Sequence, residues 1–241
     1  MIVEQEYSIK LSEINRENEA TNKAILGILE DVGGIHSNIA GYGLLDIKNT
    51  HLSWVLLDWK VQIIRRPKYN EKIIAKTWSK ESIKFYAYRD FEIYDTKGNV
   101  IVKAITKWVL INIQTEKLTR ITPEILGKYE PELEKTVFEN EDIEKVREPE
   151  KIISEVDYKV KRADIDVNNH MHNLNYLELV NETLPEEIYY GRELNNIRIS
   201  YKKEIKLGET VKCQYSFENG KHIITVRSED KKVLHSIIEV F

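Results

Sequence analysis

One cysteine in 241 residues excludes an internal disulfide and any zinc cage built on several thiolates, and it fits a reducing compartment. An excess of one charge is lacking too: 36 Lys and Arg against 40 Asp and Glu leave a net −4, so no global positive field attracts a polyanion. No apolar run approaches the roughly 20 residues that span a bilayer, and the opening Met1-Ile2-Val3-Glu4-Gln5-Glu6 lacks the basic-then-apolar order of a secretory signal. These absences predict a cytoplasmic protein. Gly41-x-Gly43 lacks the third glycine of a dinucleotide loop and follows a helical pattern, and no Gly-x-Ser-x-Gly elbow occurs. No cofactor is indicated.

What is present is a globular mixture, 41% hydrophobic and 32% charged, long enough for one large domain or two small ones. Val3, Gln5, Tyr7, Ile9 and Leu11 alternate with polar residues, which predicts a strand. From about Asn18 the period changes to a helical stripe through Ala24, Ile25, Ile28, Leu29 and Val32, weakening at Gly33-Gly34. Four strands then read as 54–64, 72–78, 84–94 and 100–113, with a hairpin turn at Asp95–Asn99. Residues 118–150 are acid-rich, hold Pro123, Pro131 and Pro149, and read as a partly helical connector.

The order then repeats: strand at Val156–Val160, a helical stripe through Leu174, Leu177, Val180 and Leu184, and four closing strands with a turn at Glu218-Asn219-Gly220. Arg65-Arg66-Pro67 pairs with Lys202-Lys203-Glu204 at an offset of 137 residues, with Ile205 as an insertion. An antiparallel sheet curled around one helix buries that helix on most sides. The expected architecture is therefore α+β, a tandem (double) hotdog of two antiparallel sheets, each wrapped around a long central helix. Its parts are an N-terminal repeat over 1–117, the connector over 118–150 and a C-terminal repeat over 151–241.

The densest polar cluster, Asp164 to Asn173, stands just before the second apolar helix. Capping of free helix amides accounts for one or two of these residues. It does not account for two carboxylates, several amides and two imidazoles together. Free amides at a helix start suit an oxygen that becomes negative during attack on a carbonyl, while an imidazole and a carboxylate can move a proton near neutral pH. His170 and His172 with Asp164 or Asp166 also offer metal ligands, but i, i+2 spacing in a loop is not diagnostic, and no metal is assigned.

Asp166-x-Asn168-x-His170, then Asn173-x-x-Tyr176, resembles the active-site loop of plant and bacterial fatty acyl-ACP thioesterases, and Tyr201-Lys202-Lys203-Glu204 resembles that family's Tyr-basic-basic-Glu strand. The resemblance covers nearly the whole chain. It implies hydrolysis of fatty acyl-ACP in fatty acid biosynthesis, with Asp166, Asn168, His170 and Glu204 as catalytic residues and acylated acyl carrier protein as substrate. Resemblance alone points to a homodimer. Some members carry a Cys directly after the catalytic Glu; Ile205 stands there, so covalent catalysis at that position is excluded, and Cys213, in an inward-facing strand run, reads as buried and inert.

Direct hydrolysis is expected, with Glu204 or Asp166 activating water and Asn168 plus helix-start amides holding the oxyanion. Spacing leaves the choice of base open. The N-terminal repeat, which lacks any Asp-x-Asn-x-His, is expected to form much of the acyl pocket, with Trp54, Trp59, Trp78 or Trp108 as wall residues. Arg65, Arg66, Lys202, Lys203 and Lys206 are candidates for a basic patch that meets an acidic carrier. An acyl-CoA thioesterase and a non-catalytic acyl-binding module are the rival readings.

Overall fold

The computed structural model describes residues 1–139, 143–191 and 194–241. The chain divides into two compact units, Met1–Ile143 and Glu144–Phe241. In the first, β1 (Ile2–Ser8) is followed by α1 (Asn22–Ile39), α2 (Ile47–Thr50), β2 (Leu52–Ile63), β3 (Lys72–Ile83), β4 (Tyr86–Asp95), β5 (Val100–Asn112), β6 (Lys117–Thr119) and α3 (Pro123–Lys128). The second contains β7 (Ser154–Lys159), α4 (Tyr176–Thr183), α5 (Glu186–Gly191), β8 (Asn196–Tyr201), β9 (Thr210–Glu218), β10 (Lys221–Ser228) and β11 (Leu234–Val240).

All pairings within a unit are antiparallel, and the spatial order is the same twice. It runs β1-β3-β4-β5-β2 in the first unit, with β6 on β5, and β7-β9-β10-β11-β8 in the second. Asn219 and Gly220 both take positive φ, as a two-residue turn between right-twisted strands requires.

Helix α1 starts on Thr21, whose hydroxyl accepts from the Ala24 amide at 3.1 Å, and it turns Ile25, Leu26, Leu29 and Val32 inward against β1 and β3. It does not weaken at Gly33-Gly34 but runs on to Ile39. A Cβ on Gly33 would lie 3.4 Å from the Phe91 ring and 3.7 Å from Arg89 Cδ, so this glycine marks where helix and β4 approach, not where the helix stops. The second helix is a correction in the other direction. Expected to be long, α4 spans only eight residues, because Pro185 pushes Leu184 into an extended conformation (φ −63°, ψ 140°) that ends the turn.

A polar cluster is buried inside the first unit. Arg89 Nη1 donates to His36 Nδ1 at 2.7 Å and to Thr77 Oγ1 at 3.2 Å, and the guanidinium lies over the Tyr129 ring. A guanidinium can only donate and a carbonyl can only accept, so His36 accepts at Nδ1 and donates from Nε2 to the Tyr129 carbonyl, 3.2 Å away. Burial first, and Arg89 second, push the His36 imidazole down to about 3, which keeps it neutral.

The stretch from 118 to 150 is no free linker. Ile121, Ile125 and Tyr129 join the core of the first unit, and the Glu132 amide donates to the Ser79 carbonyl at 2.9 Å. Val146 packs on Ile223 and Ile237 of the second unit. Residues 140–142 of this stretch lie outside the described residues.

Candidate active site

Asp166, Asn168 and His170 occupy one tight turn, closed at its base by the bridge between Ile165 and Met171. The Asp166 amide donates to the His170 carbonyl (2.8 Å), and the Asn169 amide to the Asp166 carbonyl (3.1 Å). Asn169 takes φ +61°, a left-handed conformation that Asn tolerates better than most residues. One carboxylate oxygen of Asp166, Oδ1, accepts from the amides of Asn168 (2.8 Å) and His170 (3.1 Å), while Oδ2 lies 3.5 Å from Asn168 Nδ2. Asp166 and His170 are half-buried and Asn168 is exposed.

Glu204 arrives on the bend between β8 and β9. The Met171 amide donates to the Ile205 carbonyl at 2.8 Å, and His170 bridges Lys206, so the bend lies against the turn through its backbone. The Glu204 side chain is exposed and, among the described residues, makes no hydrogen bond to Asp166, Asn168 or His170. Tyr176 senses it: burial first, then Glu204 and Glu209, hold that hydroxyl above its usual range. The Tyr201 hydroxyl donates to the Asn173 carbonyl (3.0 Å), and its ring meets Tyr176 edge-on at 5.2 Å, joining the end of β8 to the helix start. The paired tyrosines of the two sequence motifs thus carry a structural role that the motifs alone do not reveal.

Several amides of the turn and of the segment leading into the helix are already engaged. Those of Asn168 and His170 go to Asp166, Met171 to Ile205, His172 to the Asp164 carbonyl (2.8 Å), and Leu174 to His172 Nδ1 (3.2 Å). The side-chain amides of Asn168 and Asn169 are both exposed donors of the turn, and that of Asn168 lies next to Asp166. Asp164 is structural: its Oδ2 accepts from the Tyr158 hydroxyl and the Lys161 amide, both at 2.8 Å. With Asp164 and His172 Nδ1 so engaged, the metal reading loses two of its four ligands, and no group of three His, Cys, Asp or Glu is placed to hold a metal among the described residues. Cys213 is buried, and burial pushes its thiol up to about 12, so it is no nucleophile at neutral pH.

The first unit contains the same turn. Ile14 bridges Ala20, the Asn15 amide donates to the Glu19 carbonyl (2.8 Å), and Asn15 Oδ1 accepts from Glu17 (3.1 Å) and Glu19 (2.9 Å), with Asn18 at φ +62°. The Ala20 amide donates to the Pro67 carbonyl at 2.8 Å, as Met171 does to Ile205. Pro67 therefore corresponds to Ile205, which removes the insertion, and the counterpart of Glu204 is Arg66. That guanidinium points into its own turn, to the Ala20 carbonyl (2.9 Å) and Asn22 Oδ1 (2.7 Å).

Two further expectations change. Arg65 is paired with Glu71 at 2.6 Å, while Lys202, whose ammonium donates to the Ser200 hydroxyl at 2.7 Å, stays exposed together with Lys203, Lys206, Lys161 and Arg162. Trp59 lies 5.5 Å from Phe91 with the two rings tilted by 33°, and the Phe91 ring faces α1, but the Trp78 indole donates to the Lys135 carbonyl (3.1 Å) on the opposite side of the sheet.

Residues 1–129 match the model of the acyl-ACP thioesterase N-terminal domain, and residues 147–240 match that of the acyl-ACP thioesterase C-terminal domain. An oleoyl-acyl carrier protein thioesterase of Coriandrum sativum, chloroplastic, is 27% identical over 86% of this chain and 60% of its own length. Across the first curated relatives the chain spans 60 to 64% of their length. An acyl-ACP thioesterase from Bacteroides thetaiotaomicron superposes with a TM-score of 0.87 at 20% identity, covering 100% of this chain and 97% of that one. The 12:0-ACP thioesterase of Umbellularia californica gives 0.86 at 20%, covering 99% and 96%. These likenesses establish the fold as hotdog, an antiparallel sheet with few helices.

Proposed function

Since this chain belongs to the acyl-ACP thioesterase family, we propose that it hydrolyses the thioester of fatty acyl-ACP, releasing free fatty acid and the carrier for fatty acid biosynthesis. The observation that carries the proposal is the turn at 166–170, which holds a carboxylate, an amide and an imidazole and is bonded through its backbone to the bend that carries Glu204.

Glu204 is the base in this scheme. Asp166 already engages Oδ1 with two backbone amides, whereas Glu204 is exposed and makes no side-chain hydrogen bond among the described residues, so both of its oxygens are open to a water. Water gives its proton to Glu204 as its oxygen bonds to the thioester carbon. Asn168 Nδ2 donates to the oxyanion, and Asp166 orients that amide. Collapse breaks the carbon–sulfur bond, and the proton that Glu204 took from water is relayed through the His170 imidazole to the departing thiolate, which returns both residues to their starting forms.

The repeated strand order and the repeated turn support a tandem double hotdog, with repeats at 1–117 and 151–241 joined by 118–150. In this reading the first repeat serves the acyl chain and the second the chemistry. Lys203, Lys206, Lys161 and Arg162 supply positive charge around the turn for an acidic carrier. The test offers acyl-ACP and acyl-CoA of several chain lengths and follows thiol release. Cleavage of acyl-ACP is expected; no release from any substrate would leave a binding module, and preference for CoA would reassign the carrier.

A further inference from the structure

The bend that carries Glu204 is clamped from both sides. Downstream, Ile205 and Lys206 lie on the turn. Upstream, the amides of Lys202 (2.8 Å) and Lys203 (3.3 Å) both donate to the carbonyl of His235, the second residue of β11. The first unit repeats this backbone clamp at Ile101, whose carbonyl accepts from Ile64 (2.8 Å) and Arg65 (3.1 Å). The position is buried in both, Ile101 at 2% and His235 at 5% exposure.

An aliphatic side chain thus satisfies the fold at this position, and a buried imidazole costs desolvation unless it is bonded. His235 Nδ1 lies 3.1 Å from the Lys203 carbonyl, and because a carbonyl only accepts, Nδ1 carries the proton. That carbonyl belongs to the peptide linking Lys203 to Glu204. Holding its plane fixes the direction in which the Glu204 side chain leaves the backbone. This side-chain bond occurs in the unit with Glu204, while the unit with Arg66 has only the backbone clamp.

We propose that His235 is a positioning residue for Glu204, acting through the Lys203 carbonyl; the inference rests on the thioesterase reading above. His235→Ile installs the residue the first unit uses and is expected to lower kcat on acyl-ACP about tenfold with KM unchanged, the scale of a small misplacement of a reacting group. His235→Asn, whose amide N–H sits where Nδ1–H does, should stay within about threefold of wild type, while His235→Gln, with its donor one bond further out, should show the loss. In a Glu204→Gln background His235→Ile should cost nothing more, since it acts through the group already removed.

Wild-type kcat in His235→Ile, equal kcat in the Asn and Gln variants, or a loss that adds in full to that of Glu204→Gln would each overturn this proposal alone. Full activity of Glu204→Gln would overturn the catalytic reading, and this proposal with it.

Discussion

The turns at 14–20 and 165–171 make the same backbone bonds and share an Asn at the left-handed position, Asn18 and Asn169, yet four side chains around them differ. Asn15, Glu17, Glu19 and Arg66 stand in the first where Asp166, Asn168, His170 and Glu204 stand in the second. Asn15 closes its turn with an uncharged oxygen, so the fold does not require the charge of Asp166. Arg66 fills its own turn with a guanidinium, while Glu204 leaves the matching place open. Scaffold and chemistry can be separated by subtraction: what both turns share is structural, and what only the second has is available for reaction.

The largest effect that would break this comparison is at Glu204. Glu204→Gln should lower kcat on acyl-ACP about 10³-fold, within the usual span for a general base, with an unchanged melting temperature. Arg66→Gln in the other turn should leave kcat alone and lower stability by about 1–3 kcal/mol, from loss of its two buried-side contacts. If Arg66→Gln cost as much turnover as Glu204→Gln, the division of labour would fail.

Asp166→Asn should cost about 10² in kcat. Because Asn15 makes the same two bonds in the first turn, circular dichroism and thermal melting should not change. A variant that unfolded would show that the charge holds the turn, contrary to the comparison.

A third difference concerns acid. His36 stays neutral in the fold, whereas the unfolded chain binds a proton below about 6.5. The unfolded state then carries more protons, so stability falls as pH drops from about 6.5 toward about 3. His36→Gln, which keeps an acceptor for Arg89, should flatten the dependence of the urea midpoint between these limits. Equal slopes in variant and wild type would contradict it.

The smallest effect belongs to Cys213. Cys213→Ala should keep kcat within about twofold and lose about 1 kcal/mol of stability, whereas complete loss of activity in a folded variant would revive a thiol mechanism.

Much of the fold is legible in residue periodicity, because strands with one inward face and a stripe on α1 obey local rules. The extent of the helices is less so. Gly33 looks like a stop until Phe91 and Arg89 are seen against it, and the apolar stripe across 174–184 looks like one helix although Asn173–Asn175 form a 3-10 turn ahead of α4. The candidate site is partly legible: one turn brings Asp166, Asn168 and His170 together within five residues. What pairs Glu204 with Arg66 rather than Pro67 is a hydrogen bond from Met171 to Ile205, between residues 34 apart. Nor does local sequence reveal that the amides of Asn168, His170, Met171, His172 and Leu174 are already occupied, or that Arg65 and Arg66 are turned to partners of their own.

The most direct test gives the second turn the residues of the first, Asp166→Asn together with Glu204→Arg, and follows thiol release from acyl-ACP. The account predicts a protein that melts as wild type does, since the first unit folds with those residues, and turnover at least about 10³-fold below wild type. Release at the wild-type rate from the folded variant would contradict it.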